Sequence, residues 1–434
     1  MPAPTTLSAA ATAHPLAAAP SAAPCQDLPA GVPRLLLAQF LSALADNALL
    51  IVGIALLTQQ GRPGWWAPLL KLSLTLAYVL LAPWVGTVAD HWPKARVMAW
   101  MNGLKMLAVA GLMAGAQPLA AFVLLGVGAA AYAPAKYGLL TELTPPALLV
   151  RANAWLEVTV VGAVLLGTVL GGALVCAPVR EQLAPWLLTA VGLAGAPPAV
   201  AGMAVVLAIH AAAALLNLGL PDSGARYARA AWHPALLCRA LWRANAALWR
   251  DGPGGLSLAV TTVFWGVGAL MQFAVLRWAV EVLGLSLSQA AYLQAAVAVG
   301  VVIGASAAGR RVALAAAPRV LPVGVALGLL LPLCAPLHSV WLALPLLVAV
   351  GAAGGFLVVP MNALLQHRGA SLLSAGQSIA VQNLNENASV LVALAAYTAL
   401  TAAAVPVVPL MAGLGLLVAT VMALLVRRAR RLPG

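Results

Sequence analysis

Asp46 and Asn47 stand side by side near the middle of an apolar run, Leu35 to Leu57, within the stretch AQFLSALADNALL. A charge at bilayer depth costs about 2.5–3.5 kcal/mol on insertion scales, so a carboxylate there requires a partner or a use. Other apolar runs carry polar groups too. They are Gln39; Asn102 and Lys105; Lys136, Tyr137 and Glu142; Asn153 and Glu157; Gln272 and Arg277; Asn362; and Gln382, Asn383, Asn385, Glu386 and Asn387 in the stretch AVQNLNENAS. Acids, bases and amides spread over several apolar segments mark a substrate or ion path. Each also has a structural alternative. Asp46 can be a hydrogen bond between helices, Lys136 can snorkel to an interface, and the amides of the AVQNLNENAS stretch can glue helices together.

The elements that position these residues follow from composition. Of the 434 residues, 63% are hydrophobic and only 8% charged, with a mean hydropathy of +0.99. A soluble domain carries about 25% charge. Apolar stretches of about 20 residues recur along the chain, the mark of a polytopic α-helical membrane protein rather than a β-barrel with its ~10-residue alternating segments. Twelve spans are expected, at 34–58, 67–89, 96–115, 118–140, 152–175, 198–219, 257–281, 289–309, 319–337, 339–363, 375–402 and 406–426. The net charge of +13 does not point to nucleic acid, because the basic residues are scattered in loops. With twelve spans most of the 23 basic residues fall on one side, and Arg62 and Arg180 fall on the other. That bias places both termini in the cytoplasm. Residues 1–33 hold no basic residue to start a signal peptide and are expected to form a disordered cytoplasmic tail. Residues 427–434 form a basic one. Cys25, Cys176, Cys238 and Cys334 show no metal spacing.

The longest inner loop, 220–256, divides the chain into a six-helix bundle at 34–219 and a second at 257–426. Within it, LLCRALWRANAALWRDG repeats a Trp-Arg pair seven residues apart, which predicts an amphipathic helix on the inner membrane surface. The halves look related, since Pro134 and Pro360 sit in similar segments, AYAPAKYGLLTEL and LVVPMNALLQHRG. Weak internal repeats in a six-plus-six layout are typical of secondary transporters, which bind at the midplane between the repeats. The register of the two prolines places Gln272 opposite Asp46. Gly167 and Gly171, at GxxxG spacing, predict close helix packing.

Between the second and third spans stands GTVADHWPKARVM. Its Gly86, Asp90, Lys94 and Arg96 resemble the cytoplasmic loop motif of the major facilitator superfamily, a latch between helix ends. His91-Trp92-Pro93 departs from the usual form of that motif. Enzyme readings find no support. No glycine precedes a lysine as a P-loop requires, no Ser lies in a G-x-S-x-G turn, and no His stands five residues before an Asp as in phospholipid acyltransferases. No cofactor is expected.

AQFLSALADNALL, GVGAAAYAPAKYG, NALLQHRG and AVQNLNEN resemble the bacterial lysophospholipid transporter family of the same superfamily, from about Arg34 to Leu425. The resemblance implies an all-α fold of twelve helices in two halves. It also implies inward flipping of lysophosphatidylethanolamine and related mono-acyl lipids across a bacterial inner membrane by alternating access, for reacylation by an acyltransferase/acyl-carrier-protein synthetase. It implies that Asp46 meets the headgroup ammonium with Asn47 donating beside it, and that Lys136 and Arg277 attract the phosphate. Tyr137, Gln272, Asn362 and Gln382 complete the expected substrate site. Gly86, Asp90, Lys94, Arg96, Glu157, Asn383 and Glu386 are expected to control conformational exchange. Gln272 replaces the Arg of the family pattern and puts the headgroup preference in question. The competing expectation is a proton-coupled exporter of drugs or small solutes.

Overall fold

The computed structural model describes residues 27–62, 66–176, 178–190, 198–227 and 232–431. Most of the expected N-terminal tail and the last residues of the basic C-terminal tail lie outside the described residues. The described chain is helical. Its helices are α1 (Gly31–Gln59), α2 (Trp66–Leu80), α3 (Ala82–His91), α4 (Lys94–Met113), α5 (Pro118–Leu143), α6 (Leu149–Val175), α7 (Ala184–Ala190), α8 (Pro198–Leu218), α9 (Pro234–Arg250), α10 (Gly252–Glu281), α11 (Leu287–Arg311), α12 (Leu321–Cys334), α13 (Val340–Leu372), α14 (Ala375–Ala402) and α15 (Val407–Ala429).

Among the described residues, nine helices are long and apolar enough to cross a membrane, and α2 with α3 makes a tenth, bent by 68°. The expected second span is therefore broken: the break falls at Leu81, and Pro83 opens α3, where its missing N–H and fixed φ suit a new helix start. The helices α4 and α14 have 20 and 28 residues. They fall short on hydropathy because they carry Asn102, Lys105 and the polar cluster of the eleventh expected span. With them the count of twelve fits.

The helices alternate in direction, so one end of the bundle gathers the junctions α3–α4, α5–α6, α8–α10, α11–α12 and α13–α14 and most of the basic residues. We call it the basic end. Small residues set the closest approaches. A Cβ at Gly300 or Gly304 of α11 would strike the carbonyls of Val348 and Ala352 on α13, and one at Gly351 or Gly355 would strike those of Val297 and Val301. Gly167 and Gly171 of α6 likewise face the carbonyls of Leu44 and Ala48 on α1, at 2.6 and 2.7 Å from the Cβ position.

The linker helix α9 departs from expectation. Its apolar face turns onto protein: Leu237 is buried, and Leu241, Ala244 and Leu248 pack with Ala82, Leu258, Leu365 and Val381. Trp242 is 65% exposed, whereas Trp249 Nε1 donates to Asn385 Oδ1 at 3.1 Å. The reason is local competition: α3, α10 and α14 offer α9 an apolar groove with a polar partner in it, so the helix covers the bundle instead of laying that face in lipid. At its end Asp251 caps α10 through the Gly254 N–H and holds Arg368 of α13.

Candidate substrate site

A helical spacing of four places Ser42 and Asp46 on one face of α1, and a spacing of three places Asn102 and Lys105 on one face of α4. These faces meet. Lys105 Nζ lies 2.5 Å from Asp46 Oδ2 and donates to Ser42 Oγ at 3.1 Å. The Ser42 hydroxyl donates to Asn102 Oδ1 at 2.7 Å. His210 of α8 brings Nε2 to 3.5 Å from Asp46 Oδ1 without a hydrogen bond. Lys105 Nζ also stands 5.2 Å from the centre of the Tyr132 ring, close enough for a cation–π contact. Gly128 makes room for the lysine stem, since a Cβ there would lie 2.9 Å from Lys105 Cγ. The pair is unequally covered: the Lys105 side chain is 2% exposed and that of Asp46 is 22%.

A second cluster forms in the C-terminal half. Gln382 Nε2 donates to Asn362 Oδ1 at 3.0 Å and to Glu386 Oε1 at 2.8 Å. Between the two clusters, Lys136 rests its ammonium 4.3 Å from the centre of the Tyr137 ring. It pairs with no carboxylate among the described residues. Glu157 is buried within electrostatic range of both Lys136 and Glu386. Charged and amide groups thus run through the interior from α1 and α4 to α13 and α14.

Three expected residues stand elsewhere. Asn47 donates to the carbonyl of Ala43 in its own helix at 2.8 Å and packs over Gly167, because consecutive helical residues point about 100° apart. Arg277 holds Glu281 at 2.6 Å and the carbonyl of Val405 at 3.1 Å, at the end of α10 away from the basic end. Gln272 is exposed, and its main-chain carbonyl accepts from Gln294 of α11. Matching α1 to α10 end to end pairs Asp46 with Val267 or Gly268, more than a turn before Gln272. The register of the prolines does not hold for these helices, and the partners of Asp46 lie in its own half.

The hydrogen bonds between halves gather at the basic end. Asp90 accepts from Ser374 Oγ and from the N–H groups of Gly376 at 2.9 Å and Gln377 at 3.2 Å. It thereby caps α14 and sits at the positive end of its dipole. Gly86 allows this approach, since a Cβ there would lie 3.1 Å from Gln377 Cα. Lys94 pairs with Glu142 at 2.7 Å and lies 3.7 Å from Asp90. Arg96 is exposed and joins none of these contacts. Deeper in, Asn153 and Gln366 exchange two amide hydrogen bonds, at 2.9 and 2.8 Å, across the halves. Asn383 is buried, its carbonyl taken by Asn387.

Lys105 and His210 were not among the expected site residues, and neither was Gln366 among the expected latch residues. Lys105 was visible as an intramembrane charge, but its pairing with Asp46 spans two helices. His210 is a single histidine in an apolar run and gives no sign of a partner.

The Major Facilitator Superfamily profile matches residues 35–393. The chain is 40% identical over 390 residues to the lysophospholipid transporter LplT of Shigella flexneri, covering 90% of this chain and 93% of that protein, with the same figures for LplT of Escherichia coli O1:K1 / APEC. Among solved structures it resembles the superfamily transporter FucP in the outward conformation, with a TM-score of 0.68 and 17% identity over 92% of this chain and 98% of that one. It also resembles a bacterial homologue of the iron transporter ferroportin in an outward-facing state, with a TM-score of 0.67 and 17% identity over 91% and 99%. The chain therefore belongs to the Major Facilitator Superfamily and, within it, to the family of the bacterial lysophospholipid transporter LplT.

Proposed function

We propose that the protein moves lysophospholipids, above all lysophosphatidylethanolamine, from the outer to the inner leaflet of a bacterial inner membrane by alternating access. The 40% identity to LplT over nearly the whole chain carries this reading. The polar interior supports it, because a single-chain lipid needs shelter only for its head while the acyl chain stays in hydrocarbon. In this proposal Asp46 meets the headgroup ammonium and Lys136, in no salt bridge among the described residues, attracts the phosphate. Asn362, Gln382 and Glu386 form the facing wall. The basic end lies in the cytoplasm, and the described conformation, latched there by Asp90 and by Asn153–Gln366, is the one that opens to the other side. The delivered lipid then becomes the substrate of an acyltransferase.

The test is purified protein in liposomes with fluorescent lysophosphatidylethanolamine, scoring transfer between leaflets without ATP. Mono-acyl lipids are expected to cross and diacyl lipids to cross slowly. Equal rates for the two classes sink the proposal. Abolition of transfer by a protonophore favours an ion-coupled exporter of the same superfamily.

A further inference from the structure

We propose that the outer face of α9 binds the phosphate headgroups of anionic phospholipids in the inner leaflet, and so anchors at the bilayer surface the helix that bridges the two halves. Arg239, Arg243 and Arg250 are spaced by four and seven residues, which sets them within about 40° of one another around the helix. All three are exposed. Their stripe lies roughly opposite the buried Leu237, Leu241, Ala244 and Leu248. None of the three pairs with a carboxylate among the described residues. Trp242 and Leu236 flank the stripe, 65% and 52% exposed.

The depth of α9 decides what this face meets. Ala82, Leu258, Leu365 and Val381, against which it packs, lie six to nine residues in from the basic ends of α3, α10, α13 and α14 (91 − 82, 258 − 252, 372 − 365 and 381 − 375). That is roughly 9–14 Å along those helices. Trp249 reaches deeper still, to Asn385, ten residues into α14 (385 − 375). A helix lying beneath the bundle would touch only the helix ends, so α9 lies along its flank, where these helices enter the bilayer. Exposed tryptophans mark the same level. The Trp92 ring stands 6.0 Å from that of Trp100 and 5.7 Å from that of Trp232, just before α9. Tryptophan gathers where one side of the ring is apolar and the other wet, at the membrane–water interface. An outward arginine at that level meets lipid phosphate, which its planar fork of donors fits, and basic residues clustered beside a bilayer are drawn to its anionic lipids. An acidic protein in the cytoplasm would need the stripe turned beneath the bundle, away from the flank.

The experiment measures how strongly the purified protein in mixed micelles retains diacyl phosphatidylglycerol against diacyl phosphatidylcholine. The wild type is expected to prefer phosphatidylglycerol. Arg239→Gln/Arg243→Gln/Arg250→Gln is expected to lose at least about tenfold of that preference. Arg427→Gln/Arg428→Gln/Arg430→Gln, which removes the same charge from exposed positions at the C-terminal end of α15, is expected to keep most of it. Equal losses in the two triple variants overturn the inference, because they show only a general attraction to the basic end. A wild type with no preference also overturns it and leaves the stripe to an acidic protein partner. Where the α9 triple variant fails to fold, its three single variants decide. Each is expected to lose about fivefold, and unchanged retention in all three overturns the inference. None of these readings depends on which lipid is transported, so their failure leaves the functional reading standing.

Discussion

At the scale of single residues, the interior contrasts an acid that is paired with a cation that is not. Asp46 is held by Lys105, and Lys136 rests on an aromatic face with Glu157 within electrostatic range, so the two respond differently to removal. Asp46→Ala is expected to lower lysophosphatidylethanolamine transport by more than about tenfold, since it deletes the proposed ammonium contact and leaves Lys105 buried without its anion, a change that typically costs about 3–5 kcal/mol. Gln272→Ala is expected to retain most activity, because its side chain meets none of the interior groups. Uptake at matched expression checks both, and wild-type uptake by Asp46→Ala removes Asp46 from the site. Asp251 gives a pH prediction outside the membrane segments. Burial by itself raises its carboxyl, but the Arg368 hydrogen bonds and the Gly254 N–H outweigh burial and hold it below its usual value. A depressed carboxyl contributes stability above its unfolded pKa of about 3.9 and loses it as pH falls through the folded value. The anchor of α9 is therefore expected to be indifferent to pH between about 5 and 8 and to fail only in stronger acid. Asp251→Asn is expected to lower the thermal midpoint at neutral pH, and an unchanged midpoint counts against the anchor.

At the scale of elements, the contacts between halves are of two kinds. Glycine faces let α3 meet α14, as at Gly86 and Gly376, and polar side chains then fasten the join. The Asn153–Gln366 amide pair fastens α6 to α13 with two hydrogen bonds in a buried setting. At about 0.5–1.5 kcal/mol each, their loss is worth about 1–3 kcal/mol, or roughly a 5–150-fold shift in a two-state equilibrium. Gln366→Ala is expected to move the protein toward the conformation open at the basic end. Alkylation of a cysteine placed in that gate would rise, and no change in labelling would argue against a latch.

At the scale of the whole molecule, the basic end is where the halves, the linker and the loop motif converge. Tyr227 and Ser223 of the linker reach Glu142, which also holds Lys94, while α9 spans α3 and α14. Transport by alternating access must undo these joins once per cycle. A disulfide between Asp90→Cys and Ser374→Cys, residues in hydrogen-bond contact here, is expected to stop transport while lysophosphatidylethanolamine still binds from the far side. Reduction would restore transport, and transport that continues with the bond formed would show that this end need not open.

The sequence by itself determined the class of the molecule. Apolar runs of bilayer length, the one-sided basic residues and the helix 1 and helix 4 motifs depend on local composition and spacing, so they survive without coordinates. The loop motif was legible for a similar reason: Gly86 and Asp90 are four apart on one helix, and that face became the cap on α14. Tertiary structure alone decided partnership. Lys105 and His210 reach Asp46 from helices 59 and 164 residues away along the chain (105 − 46 and 210 − 46), and no periodicity records which faces of α1, α4 and α8 turn together. The same holds for α9, whose amphipathic pattern fits a membrane surface and a protein groove equally well until the groove of α3, α10 and α14 is in place. Register between the halves was also beyond the sequence, because the repeats drift where loops differ, and an offset of five residues turns a side chain about 140° around its helix.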